Sequence, residues 1–531
     1  MTEPEHSIDV AILGGGLAGG LLARQLRRYV PQASVAVFEK STEPRYKVGE
    51  STVEIATHYL IKRLGLSTYI YKEHLPKNGL RYFFDTAEKD ASLLELSELG
   101  VNALPPSPSF QLDRARLEPD LLAMNEKEGV QIHRPARVKD LSLDAGGHSF
   151  TVVKDGEEQR WKARWVVDCT GRESMVAKLR DLRVPERGHR IAAAWGRALN
   201  VRDIDDPRAI AGLRGEPAEW LARAHHTSRM LSTIHFMYDG YWIWFIPLRS
   251  GITSIGVVAE SKQWSPKLHK EAGFLEFVRK HAAAASMIED VELLDLEAFT
   301  QLAFKTKQFF SGPERWACVG DAGAFVDPFY SPGSDFIALE NDFVTDLVKR
   351  DLAGEDIDEP ARLYDDYMQF RYETTTVIYE DQYPTFGSYE LFRAKVFFDT
   401  ALYYNLVFDP YALDKHLDGR WVRTMLRRRE FIMEMLGGFS ALFRNAGAEL
   451  KKRGHYHAKN TNHWQLEGLQ TYGVLLDVGK DRTRREVNER NDEIFAETKR
   501  LVSLAFDGDM ELVESFMKTK PAGGAWEQLT A

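Results

Sequence analysis

Two cysteines in 531 residues, Cys169 and Cys318, are too few for a disulfide framework, and neither belongs to a CxxC or a Cys/His cluster with metal spacing. The pattern suits a reducing cytoplasm and calls for no metal. A basic surplus is also lacking: 69 Lys and Arg face 79 Asp and Glu, a net charge of −10. Such a balance offers no field to draw in phosphate backbones or anionic lipid, so nucleic acid is not an expected partner. No apolar run approaches the roughly 20 residues a membrane span needs, and mean hydropathy is −0.36. The start, MTEPEHSIDVAIL, has no basic segment followed by a long apolar stretch, so it reads as neither export signal nor anchor. What is present, 44% hydrophobic and 28% charged residues, is the composition of a globular chain of two to four domains at about 150 residues each.

The first forty residues carry a βαβ signature. Ile8–Leu13 is a short apolar run of the kind expected for a buried parallel strand. Gly14, Gly16 and Gly19 follow in GxGxxG spacing, then LLARQLRRYV at helical period, then SVAVFE ending at Glu39, 20 residues after the third glycine. The glycines permit a tight turn and close backbone approach, the helix N-terminus offers N–H groups to a pyrophosphate, and Glu39 can accept the ribose hydroxyls. Taken alone the unit fits NAD or FAD. Two later strands, ARWVVDCTGR (163–172) and WACVGDA (316–322), both open into turns, the second at Gly320 and Asp321. A carboxylate at a strand end can bind a ribityl chain, which NAD lacks, so Asp321 points to FAD.

Three further segments, VGES (48–51), PKNGLRYFF (76–84) and GYWIWFIPL (240–248), complete a pattern that resembles the flavin-dependent halogenases, on the FAD-binding fold of aromatic hydroxylases. The resemblance spans residue 8 to about 350, and the tryptophan string is its most specific part. It implies an α/β fold: an FAD-binding Rossmann-like domain with an inserted β-sheet substrate layer and a C-terminal helical region. It implies FAD as FADH2, with chloride or bromide as co-substrate, acting on an electron-rich aromatic. Lys77 would be the essential lysine to which hypohalous acid is guided. Trp242 and Trp244 alternate along a strand and so share one face, where they would build an indole wall between flavin and organic substrate. The cofactor set by the same resemblance is Gly14, Gly16, Ala18, Gly19, Glu39, Arg45, Gly49, Glu50, Ser51, Arg114, Val138, Asp321, Gly333 and Ser334, Val138 contacting adenine through its backbone.

The turn DPFYSPGSDF departs from the family in two places. Tyr330 replaces the glutamate of the tryptophan-specific members, which favours a phenol or pyrrole over free tryptophan. Halide would be held at Pro332, Gly333 and Ser334, and Pro332 has no N–H to give. That departure keeps a second reading open, an FAD-dependent aromatic monooxygenase or dehydrogenase on the same fold.

Residues 1–189 and 300–352 are expected to form the FAD domain, 190–299 the sheet layer and 353–531 a helical region, whose stretches after residue 355 are long and periodic without strand punctuation. Arg427, Arg428 and Arg429 read as a solvated helix face, with an acidic carrier protein as the alternative reader of that charge. No second glycine fingerprint follows a strand, so a separate flavin reductase is expected to supply FADH2. The small aromatic substrate is free or tethered to a carrier protein.

Overall fold

A computed structural model of the protein describes residues 6–43, 46–103, 105, 107–224, 227–466 and 478–517. Strand β1 (His6–Leu13), helix α1 (Leu17–Tyr29) and strand β2 (Val35–Phe38), the two strands paired parallel, form the expected βαβ unit. Val10, Ala11 and Ile12 are fully buried because both faces of the sheet are covered, which is why the run is apolar without alternation. Parallel strands Trp316–Cys318, Glu157–Asp168, β1, β2 and Gln131–His133 lie side by side in that order, and Phe310–Ser311 closes one edge antiparallel. Register aligns Leu13 with Phe38 and with Asp168, and Asp168 with Cys318, so the carboxyl ends reach one rim together. Helices Arg114–Lys127 and Gly333–Leu352 pack on α1.

A second, largely antiparallel sheet runs Glu292–Leu293, Ile191–Leu199, Thr253–Glu260, Tyr241–Pro247, Thr233–Tyr238, Leu80–Phe84, Ser97–Leu99, Trp464–Gln465. Its centre comes from the 190–299 segment, but three of its strands are borrowed from residues 80–99 and 464–465. Pairing of that kind follows space, not chain order. A two-stranded sheet of Leu75–Lys77 and Ser109–Gln111 joins the layers.

The C-terminal region is helical, with long helices Asp358–Tyr379, Tyr389–Tyr403, Arg429–Lys452 and Arg484–Ser503. Arg429 donates to both oxygens of Glu373 and Arg428 to Asn488, so two of the three consecutive arginines are paired within the chain. Among the described residues no helix is long and apolar enough to cross a membrane.

Candidate active site

The glycine turn has the geometry of a phosphate cradle. Gly14 has φ +104° and donates its N–H to Phe38 O at 2.9 Å, and a Cβ there would lie 2.3 Å from Cys169 O. A Cβ on Gly19 would lie 2.0 Å from Gly14 O, so strand and helix can approach only because both are glycine. No side chain caps the N-terminus of α1 at Gly16. The space beside Gly16 is bounded by Lys47 Nζ, 3.4 Å from where a Cβ would stand. Gly14→Ala is expected to cost about 1–3 kcal/mol in backbone strain alone and to leave the purified protein short of FAD, as the flavin-to-protein absorbance ratio would report.

Around this turn the segments named from sequence converge. Glu39 sits at the end of β2 and accepts from Gly15 N at 2.8 Å and Ser41 N at 2.7 Å, which fixes its carboxylate beside the turn. Ala18 touches the site from α1: a Cβ on Gly320 would meet it at 3.3 Å. Asp321, beside Gly320, is half-buried; burial raises its pKa, and Arg114, Arg172 and Lys47 pull it back down. Arg114 donates to Val48 O, approaches Gly49 and pairs with Glu118, whose other oxygen accepts from Lys47 at 2.7 Å. Lys47 and Glu118 were not read from the sequence; the only local sign is the four-residue spacing of Arg114 and Glu118 on one helix. Val138 lies on strand Arg137–Ser142, opposite Val152, two residues beyond Ala136, whose N–H donates to Glu39 O. Arg45 lies outside the described residues. Cationic Lys47 and Arg114, an uncapped helix and acids at two strand ends match what a pyrophosphate, ribose and ribityl chain require, so these residues fit FAD.

Glu50 turns inward. It is buried, which raises its pKa, with Arg197 and Arg114 opposing, and it accepts from Gly49 N at 3.0 Å. Ser51 bonds Thr233 Oγ1 at 2.9 Å and receives Lys77 Nζ at 2.8 Å; Thr52 O accepts a second Lys77 bond at 2.8 Å. Lys77 is 2% exposed and is held by the small sheet in which it pairs with Ser109. Burial pushes its pKa down to about 8, with Glu54 and Asp335 offsetting part of the loss.

Lys77 lies on the wall of a cavity of about 270 Å³ that runs into the helical region. Pro332, Tyr82, Tyr330, Glu54 and Asp335 share that wall. Pro332 precedes helix Gly333–Leu352, and the space where a Gly333 Cβ would stand is open. Asp335 accepts from Ala56 N at 2.9 Å and Tyr403 OH at 2.8 Å, and burial pushes its pKa up to about 7. Glu54 accepts from Tyr404 OH at 2.5 Å, and burial raises it too. Tyr330 donates to Asp399 at 2.9 Å. Neither Glu54 nor Asp335 carries a sequence signal of its own, because they meet Lys77 only when segments 54, 77 and 335 come together.

Trp242 and Trp244 do share one face, their ring centroids 5.5 Å apart. Both are buried and neither lines the cavity, whose wall includes Tyr82. Tyr82 stacks on His235 at 4.9 Å and approaches Phe329 at 5.9 Å, and those two rings pack against Trp242. Trp242 Nε1 donates to Tyr383 OH at 3.0 Å, which in turn donates to Asp327. Trp244 Nε1 donates to Ser254 Oγ at 3.2 Å, and Ser254 lies close enough to Glu50 to help lower its pKa. The indole pair therefore bridges the Glu50 loop and the C-terminal aromatics one layer behind the cavity surface.

The chain matches the family model described as FAD binding domain over residues 7–335. It is 28% identical over 449 residues to a flavin-dependent halogenase, chlA, of Dictyostelium discoideum, covering 77% of this chain and 71% of that one. It is 26% identical to a 1H-pyrrole-2-carbonyl-(peptidyl-carrier protein) chlorinase of Pseudomonas fluorescens, covering 62% of this chain and 73% of the relative. The crystal structure of the halogenase PltM superposes with a TM-score of 0.67 at 16% identity, over 96% of this chain and 99% of that one. With more than half its length in the matched region, the chain belongs to the FAD-binding-domain family, its cofactor is FAD, and its named relatives are flavin-dependent halogenases.

Proposed function

We propose that the protein is an FAD-dependent halogenase that uses reduced FAD, dioxygen and chloride or bromide to halogenate an electron-rich aromatic of the phenol or pyrrole type. The observation that carries this reading is Lys77, a buried cation anchored to the Ser51–Thr52 segment of the flavin-side loop and facing the aromatic-lined cavity. When bound, reduced FAD supplies the electrons that let dioxygen convert halide into an electrophilic halogen species.

Two of the three ammonium N–H donors of Lys77 are spent on Ser51 and Thr52. The third is left to polarise the halogen donor toward the ring. As the carbon–halogen bond forms, the ring must lose its proton; Asp335, pushed up to about 7 by burial, is a carboxylate on the same wall able to take it, and Glu54, also raised by burial, stands beside it on that wall. Tyr82 and Tyr330 line the cavity, so an aromatic substrate can pack against their rings. Trp242 and Trp244 keep the flavin-side loop and the cavity layer apart by filling the space between Ser254 and Tyr383. Gly333 and Ser334 open the helix that would receive halide, with Pro332 contributing shape and no donor.

A separate flavin reductase supplies the reduced cofactor in this reading, because the second sheet is an antiparallel layer and not a second dinucleotide fold. Cys169 and Cys318 are buried free thiols, which suits a cytoplasmic setting.

Incubation with FAD, NADPH, a flavin reductase, bromide and a phenol is expected to give a product with the bromine isotope doublet in its mass spectrum, and none when the reductase is omitted. Pro332 favours the rival monooxygenase reading, and a hydroxylated, halogen-free product in the same tube would establish it.

A further inference from the structure

Two cations on the cavity wall lack an anionic partner. Arg371, on helix Asp358–Tyr379, and Arg393, on helix Tyr389–Tyr403, both line the chamber that holds Lys77. Arg371 donates from Nη1 to Thr374 Oγ1 at 3.2 Å. Its Nε and the Nε of Arg393 are buried without a hydrogen-bond partner. Among the described residues neither guanidinium forms an ion pair within 4.0 Å. The acids of the cavity are committed elsewhere: Glu54 to Tyr404, Asp335 to Ala56 N–H and Tyr403, Asp399 to Lys395 and Tyr330. Arg371 is near enough to Asp335 to draw its pKa down, yet no hydrogen bond joins them.

A guanidinium cannot shed its proton, as a lysine can, so the buried part of its charge is best met by an anion. Both arginines are half-buried in walls made mainly of aliphatic and aromatic side chains. Unpaired charge in such surroundings is costly, and the flat donor fork of arginine fits a carboxylate in two parallel bonds. The chamber volume, about 270 Å³, is well above the roughly 150 Å³ that accommodates benzene, so it takes a ring system larger than one phenol.

We propose that the substrate is a carboxylate-bearing aromatic of two or more rings, its carboxylate received by Arg371 and Arg393 while the ring is presented to Lys77. The inference rests on the reading of this cavity as the substrate chamber. It also separates two forms of substrate: an acid held this way is free, since a carrier thioester formed at that group would remove the charge that the arginines recognise.

The test is calorimetric titration of the FAD-loaded protein with a hydroxynaphthoate and with its primary amide. The acid is expected to bind roughly 10- to 100-fold more tightly. That preference should vanish in the Arg371→Met, Arg393→Met double variant and persist in part in the Arg371→Lys, Arg393→Lys variant. FAD content and an unchanged thermal midpoint verify folding, and the lysine variant serves if methionine destabilises the helices. Equal binding of acid and amide, or a preference that survives the methionine variant, would overturn the proposal. Halogenation of the amide with no preference for the acid would sink the carboxylate subsite alone. A preference for the acid with neither probe halogenated would support the subsite and count against the halogenase reading.

Discussion

Lys77→Met is expected to lower halogenation about 100- to 10,000-fold, the range that removal of one positioned proton donor commonly costs, while FAD content stays at the wild-type level. Methionine keeps most of the volume of the lysine stem, so a site that is only 2% exposed would not collapse. What disappears is a cavity-lining charge with two of its three donors bound to Ser51 and Thr52. The pH profile then chooses between two uses of this amine. Burial lowers its pKa to about 8, so the cation dominates below that pH and the neutral amine above it. If the ammonium polarises the halogen donor, activity falls as pH rises through about 8. If the neutral amine is itself halogenated first, activity climbs over the same interval. Product formation by stopped assays from pH 6 to 10, with FAD content checked at each point, reads the sign directly; an unchanged rate in Lys77→Met would remove the residue from the chemistry.

Glu98→Ala is expected to be the most destabilising of the single changes considered, by roughly 3–5 kcal/mol. Glu98 is fully buried and is shared by two arginines: Arg81 donates to it, and Arg229 donates Nε at 2.9 Å and Nη2 at 3.1 Å. Asp205 also binds Arg229, at 2.8 Å, but among the described residues Arg81 has no other ion-pair partner. Removing the carboxylate would strand that cation inside the second sheet. Burial by itself would raise the Glu98 pKa, but Arg229 and Arg81 outweigh it and hold it below the ordinary value. The stabilisation is thus fully present above the unfolded carboxylate pKa of about 4.3 and is lost as pH falls through the lower folded value. A denaturant midpoint unchanged from wild type at neutral pH would contradict the argument. Because Arg81 also binds Val101 O, and Leu99 to Val101 border the cavity, the milder Glu98→Gln should raise KM more than it lowers kcat.

The dinucleotide turn was legible because steric demand leaves a residue-type record: only glycine tolerates the approach of Cys169 O to Gly14, and Glu39 stands where the second strand must end. Lys77 stands out in the sequence only through resemblance, and its burial does not, since a lysine in PKNGL looks like any turn cation until the Ser109–Gln111 strand covers it. The shared face of Trp242 and Trp244 followed from strand alternation, but what that face meets depends on Phe329, His235 and Tyr383, which arrive from two other segments. Glu118, Glu54, Asp335 and Arg393 escaped for the same reason. Each is an ordinary helix residue in one dimension: Glu118 meets Lys47, and Glu54 and Asp335 meet Lys77, across tens to hundreds of positions, and the place of Arg393 on the cavity wall shows only once the chain is folded.

The short strand Trp464–Gln465 finishes the edge of a sheet begun almost four hundred residues earlier, alongside Ser97–Leu99. A chain shortened before that strand would bare a row of backbone donors and acceptors ready to pair with another molecule. Swapping the C-terminal helices between relatives to change substrate would therefore succeed only if each transplanted tail carries its own edge cover; otherwise the chimaera should aggregate before its chemistry can be assayed.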